Sequence, residues 1–270
     1  MQFFDTHSHL EMPRLYPNAK AIVRRAKEAG IIGVVVSAIE PKFYPKAINL
    51  MKRFPGFIWP TFGLHPPRAT PKIVKRTIHA IHAYSEEIVA IGEVGLDYYW
   101  VKDSKEREYQ KTAFIEFIHL ADELNLPLVV HSREAEADAL QVLREEEMFD
   151  VQLHCFNAPE FVQEAAADRF FMSVPTSVVS RRRMQRIAMT MPLANMLLET
   201  DAPYLSPTPG QTNEPSNIPQ GAAKIAELKG TSTEVVATTT TLNALKFLRL
   251  ENAYKESNEN EAIIERLSDS

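Results

Sequence analysis

A chain of 270 residues that is 45% hydrophobic can bury a full core, and its single cysteine, Cys155, excludes a disulfide framework and fits a reducing compartment. The formal charge of −5 argues against a protein that grips duplex nucleic acid by phosphate neutralisation alone, but leaves open an enzyme whose metals and a few local cations hold one phosphate. No apolar run approaches ~20 residues and the N-terminus enters a strand pattern directly, so neither a membrane span nor a signal peptide is expected, and the expected location is cytoplasmic.

Apolar runs alternate with amphipathic, charge-rich stretches along the chain. The first run, 2–6 (QFFDT), reads as a strand leading into His7 and His9. Two residues apart on an extended backbone, these imidazoles point to one face, and Asp5 shares their parity one layer deeper, where it could brace an imidazole. A helical pattern over 19–29 precedes the second strand, 32–37 (IGVVVS), and another over 41–53 precedes the third, 57–63 (FIWPTFG). His65 follows in GLHPP, placed to contact substrate or protonate a leaving oxygen. After a helix at 71–84, strand 88–92 (IVAIG) runs into Glu93, Gly95 and Asp97. Gly95 is expected to turn the backbone tightly just past the strand. Glu93, at the strand end, is the better bridge between two cations, and Asp97 is left to orient neighbours or substrate. The aromatic run Tyr98–Tyr99–Trp100 could stack on a base or roof the fold.

A long helix over 105–124 leads to strand 127–131 (PLVVH), whose His131 shares parity with Arg133. The imidazole suits a metal; the guanidinium fork suits a phosphate or, equally, a salt bridge between loops. Helix 134–147 leads to strand 150–154 (DVQLH), ending on His154, while Cys155 alternates away into the wall. Helix 159–168, strand 170–174 (FFMSV) and helix 180–190 follow, the last opened by the basic run Arg181–Arg182–Arg183. The final strand, 195–199 (NMLLE), precedes Asp201, which can ligate a metal and accept the proton of an attacking water. Glu199 lies one layer deeper, where burial demands a partner. Asn213 and Glu214 sit in the next loop, able to orient neighbours, before helical patterns at 217–229 and 232–249. His79, His82 and His119 fall inside helices and read as structural or solvated.

The near-continuous hydrophobicity of the strands implies cover on both faces, and their alternation with helices implies an α/β chain folded as a parallel (β/α)8 TIM barrel. The expected organisation is one catalytic domain over 1–250, with 251–270 a peripheral helix or flexible tail. An open doubly wound sheet is the weaker alternative: no glycine-rich loop follows the first strand, and the candidate ligands spread over five strand ends. In a barrel those ends share one mouth, so His7, His9, Glu93, His131, His154 and Asp201 would converge as a divalent-metal site.

The motifs DTHSHL, GLHP, GEVGLDY, LPLVVHSR, HCF and LLETDAPYL stand in the order found in the TatD-type metal-dependent deoxyribonucleases, a branch of the amidohydrolase-like barrels, which the chain resembles from about residue 1 to 250. The resemblance implies two divalent ions, Mg2+, Mn2+ or Zn2+. It places His7, His9 and Asp201 on one, His131 and His154 on the other, and Glu93 between them. It implies catalytic roles for Asp201, Glu93 and His65, and substrate contacts from Arg133, His65, Asp97 and Tyr204. Two segments depart from the family's pattern, Asn157–Ala158 after HCF and Val174–Val179 at the seventh strand, and both would border the substrate mouth. The activity implied is hydrolysis of phosphodiesters in single-stranded or frayed DNA, trimmed from the 3′ end. The alternatives are a deacylase or amidohydrolase acting on an ester or amide such as a D-aminoacyl-tRNA, and a noncatalytic binder on a decayed barrel. No membrane and no obligate protein partner are expected.

Overall fold

Every run read as a strand forms one. The computed structural model describes residues 1–255, with strands β1 (Phe3–Ser8), β2 (Ile31–Ala38), β3 (Ile58–Phe62), β4 (Ala90–Asp97), β5 (Leu128–Arg133), β6 (Val151–Leu153), β7 (Phe171–Pro175) and β8 (Met196–Glu199). The helices are α1 (Ala19–Glu28), α2 (Tyr44–Arg53), α3 (Pro71–His82), α4 (Ser104–Glu123), α5 (Glu136–Glu145), α6 (Val162–Ala167), α7 (Arg182–Thr190), α8 (Ile218–Lys229) and α9 (Thr233–Phe247). Each strand pairs in parallel with the next, in the order β1 to β8. Among the described residues no helix is long and apolar enough to cross a membrane. The segment expected to be peripheral, 251–270, lies outside the described residues from 256 onward.

The barrel closes where the candidate ligands sit. Past the end of β8, Asp201 N donates to the His7 carbonyl at 2.9 Å and His9 N to the Ala202 carbonyl at 2.8 Å, while Thr6 Oγ1 donates to the Leu198 carbonyl at 3.0 Å. The opposite end is plugged by apolar residues. Phe4, Val35, Ala90, Val129 and Leu197 pack against Leu245, Phe247 and Leu248 from the end of α9. Burying each such leucine or phenylalanine contributes about 2 kcal/mol, so the plug makes this end stable and leaves the other for chemistry.

Two local readings are corrected. β4 runs on to Asp97, so Glu93 lies inside the strand and not at its end, and Gly95 makes no turn. The β4–β5 ladder shifts register between Gly92 and Val94, an irregularity that re-aims Glu93 into the barrel. Gly95 has φ +131°, and a Cβ there would meet the His131 carbonyl oxygen at 2.2 Å, so glycine lets β4 and β5 run close. The second correction concerns Asp5, whose carboxylate accepts from Thr200 N at 2.9 Å and the Thr200 hydroxyl at 2.6 Å, not from an imidazole. The β1–β2 ladder shifts between Asp5 and Ser8, so strand parity does not carry from Asp5 to the histidines.

Candidate metal centre

Glu93 stands at the middle of the mouth, buried, with its two oxygens facing different neighbours. Oε2 lies 3.3 Å from His7 Nε2 and 3.9 Å from His9 Nε2. Oε1 lies 2.7 Å from His131 Nδ1 and 3.9 Å from His154 Nε2. Asp201 joins the first set, its Oδ1 3.2 Å from His9 Nε2. The rings of His7 and His154 stack with centroids 3.7 Å apart, which connects the two sets. Ligand atoms of His7, His9 and Glu93, and separately of Glu93, His131 and His154, all lie within 4.8 Å of one another.

Each imidazole is held from behind so that the nitrogen toward Glu93 is the free one. His9 Nδ1 lies 2.8 Å from the Ser37 carbonyl; a carbonyl only accepts, so Nδ1 carries a proton, and Nε2, facing the mouth, is the nitrogen that would ligate once deprotonated. His154 Nδ1 is 2.9 Å from Glu199 Oε2, which also accepts from the Ser173 hydroxyl at 2.6 Å. That is the partner Glu199 was expected to need. His7 Nδ1 meets Ser37 Oγ at 3.2 Å, a hydroxyl positioned in turn by Thr61. His131 is reversed: its Nε2 is held at 2.9 Å by Asp97 Oδ2, leaving Nδ1 for Glu93. Asp97 Oδ1 accepts from Trp100 N at 2.8 Å, so this buried carboxylate bonds the protein through both oxygens and orients His131.

Electrostatics separate the groups. Burial disfavours a charged His9, but the hydrogen bond to Asp201 with the Glu11 and Glu93 carboxylates outweighs it and holds His9 up to about 10. His131, buried but paired with Asp97 and Glu93, is held up to about 9. Glu93 is kept well below the usual carboxylate range, since the surrounding imidazoles outweigh its burial. Burial lowers His7, whose Nε2 is enclosed without a hydrogen-bond partner. An enclosed imidazole nitrogen that makes no well-formed hydrogen bond, 3.3 Å from a carboxylate shared by several histidines, is the donor arrangement that a divalent cation fits.

The remaining candidates lie around this centre. His65 packs edge-on against His131 with centroids 4.8 Å apart; burial pushes it down to about 4, so its imidazole is neutral at neutral pH and offers an N–H donor in place of a spare proton. Tyr204 stands half exposed beside His9, ring centroids 6.3 Å apart. The Arg133 guanidinium lies 3.6 Å over the Tyr99 ring and makes no ion pair among the described residues, so the salt-bridge alternative is not seen there. Of the basic run, Arg183 is committed to the Asn157 carbonyl at 2.6 Å, which ties α7 to the Asn157–Ala158 loop. In the Val174–Val179 segment, Thr176 Oγ1 bonds the Leu205 carbonyl and receives Asn213 Nδ2 at 2.8 Å. Asn213 also holds the Thr200 carbonyl at 2.7 Å, whereas Glu214 pairs with Arg25.

Sequence reasoning passed over Ser37, Thr61 and Ser173, although each is a polar residue inside an otherwise apolar strand, the one signal available. It also passed over Glu11, fully buried and pushed up to about 7 by that burial, with Oε1 3.8 Å from His9 Nδ1.

A family model described as TatD related DNase matches residues 4–249. The chain belongs to the TatD-related DNase family. It is a hydrolase, as its motifs implied. It is 34% identical over 254 residues to a Homo sapiens protein named deoxyribonuclease TATDN3, covering 90% of this chain and 93% of the relative. It is 31% identical over 262 residues to the 3′-5′ ssDNA/RNA exonuclease TatD of Erwinia tasmaniensis, covering 92% and 100%. Among solved structures, the TatD homologue YJJV of Escherichia coli K12 superposes with a TM-score of 0.82 at 25% identity, covering 91% of this chain and 97% of that one. The eight-stranded parallel barrel is thus the TatD fold.

Proposed function

We propose that this protein is a cytoplasmic two-metal phosphodiesterase that trims single-stranded or frayed DNA from its 3′ end. The observation that carries the reading is Glu93, one carboxylate with an oxygen toward each of two histidine sets. His7, His9 and Asp201 would hold one ion, His131 and His154 the other, and Glu93 would bridge them. Bound there, a pair of Mg2+, Mn2+ or Zn2+ ions supplies positive charge to the phosphate oxygens and acidifies a water. Asp201, kept ionised because His9 and the other imidazoles outweigh its burial, accepts the proton from the attacking water. His65 and Arg133 direct N–H groups at the phosphate, and Tyr204 borders the scissile nucleotide. The names of the human and Erwinia relatives support DNA as substrate and the 3′-5′ direction. A recessed site admits a strand end more readily than stacked bases within a duplex.

A time course on end-labelled linear and on circular single-stranded DNA tests the reading. Chelator-sensitive release of mononucleotides from the linear strand and survival of the circle are expected. Equal cleavage of the circle would reject end-dependence. No cleavage of either, with rapid ester or amide hydrolysis by the metal-loaded protein, would reject the nuclease in favour of a deacylase.

Metal uptake should also release protons. With His9 held up to about 10 and His131 up to about 9, both are protonated at pH 7 in the metal-free protein, and each must give up a proton to ligate. Affinity should therefore climb as pH rises from 7 toward 9. Calorimetric titration in two buffers of different ionisation enthalpy checks this, and identical heats in both would contradict it.

A further inference from the structure

Just outside the metal centre, the loop after β4 is tightly braced yet turns two large aromatic rings toward solvent. Trp100 is 64% exposed and Tyr99 39% exposed. Their backbone is fixed on every side. Trp100 N donates to Asp97 Oδ1 at 2.8 Å, and Tyr98 N to the Arg133 carbonyl at 2.9 Å. Arg107 reaches the Tyr98 and Val101 carbonyls at 3.1 and 2.9 Å, and the Tyr98 hydroxyl donates to Asp138 at 2.7 Å. Asp97, which anchors Trp100, also positions His131, so the loop and the metal centre share one rigid support. The rings lie edge to face, centroids 4.8 Å apart, and the Arg133 guanidinium lies 3.6 Å over Tyr99 and 5.8 Å from Trp100. Stacking occupies one face of the guanidinium and leaves its N–H edge free, with no side-chain hydrogen bond or ion pair recorded for it among the described residues.

Exposed aromatic rings on a rigid loop bury little, so they add nothing obvious to stability. Paired with a free guanidinium two residues past a candidate ligand, they match what a single-stranded nucleic acid presents: a π-face next to a phosphate. With the Tyr99 ring covered by Arg133 and approached by Lys102 Nζ at 5.6 Å, we propose that Trp100, buttressed edge to face by Tyr99, forms a stacking shelf for the nucleobase adjoining the scissile phosphate, with Arg133 holding the phosphate on that nucleotide. This rests on the nuclease reading and adds a requirement to it: recognition of a base by stacking, tolerant of base identity. Tyr99 and Arg133 also line a cavity of about 550 Å³ whose walls carry charge of both signs, Glu134, Glu136 and Glu160 beside Arg183.

The test compares wild type, Trp100→Ala and Trp100→Phe, metal-loaded, on three kinds of substrate: a linear single-stranded oligonucleotide, the same oligonucleotide abasic at its last or next-to-last position, and one abasic at both, which presents no base to a shelf. Trp100→Ala should lower kcat/KM on the intact oligonucleotide about tenfold or more. It should leave the rate on the doubly abasic strand unchanged, and Trp100→Phe should restore most of the loss on the intact one. One abasic position should cost wild type a comparable factor and cost Trp100→Ala almost nothing further, the non-additivity of two partners in one contact. Additive losses at both positions, an unchanged rate on the intact oligonucleotide, or an equal loss on the doubly abasic strand would overturn the shelf while leaving the nuclease reading standing. If wild type turns over none of the oligonucleotides, the nuclease reading falls and takes the shelf with it.

Discussion

Glu93→Gln should lower turnover at least ~100-fold, about 2.7 kcal/mol of barrier, and leave the protein short of one metal. The substitution keeps the shape of the side chain but replaces one of two equivalent oxygens with an amide nitrogen, which donates and cannot ligate. In the native protein Oε2 faces His7 and His9 while Oε1 faces His131 and His154. Both histidine sets lose the anion they share, and whichever way the amide turns, one of them also loses a ligating oxygen. The imidazoles of His9 and His131 would also lose a carboxylate that helps keep them charged in the metal-free state. Elemental analysis of the purified variant beside its steady-state rate checks both halves. Two metals per chain with normal turnover would show that Glu93 does not bridge.

Gly95→Ala should destabilise the fold by about 3 kcal/mol or more, from backbone strain and overpacking together. The residue sits at φ +131°, where a side chain is strained whatever the space, and its Cβ would stand 2.2 Å from the His131 carbonyl oxygen. The contact is with backbone, so no rotamer change relieves it. β4 and β5 would have to part at the point where Glu93 and His131 face each other. The expected signature is a lowered urea midpoint together with reduced metal content, measured on the same preparation. A wild-type midpoint with a full metal complement would rule out close approach of these strands as the reason for glycine.

These two residues mark where local pattern stops informing. Alternation of apolar runs with amphipathic stretches reports burial and period, so the strands and helices, and from them the barrel, were legible without coordinates. Candidate ligands were legible too, because imidazole and carboxylate side chains near strand ends are a property of residue type and position. Register and closure are not. The irregularity that turns Glu93 into the mouth arises between β4 and β5. The bonds that bring His7 and His9 against Asp201 and Ala202 join the ends of the first and last strands. The groups that set each imidazole were partly invisible for a simpler reason. His9 is held by the Ser37 carbonyl, and a carbonyl belongs to every residue, so no sequence signal distinguishes it. Arg133 offered a choice between phosphate and salt bridge, and packing on Tyr99 decided against the salt bridge among the described residues. Sequence by itself determined which side chains are candidates for the chemistry and on which elements they ride. Tertiary structure decided which nitrogen and which oxygen of each faces the centre, because those choices depend on contacts between strands far apart in the chain.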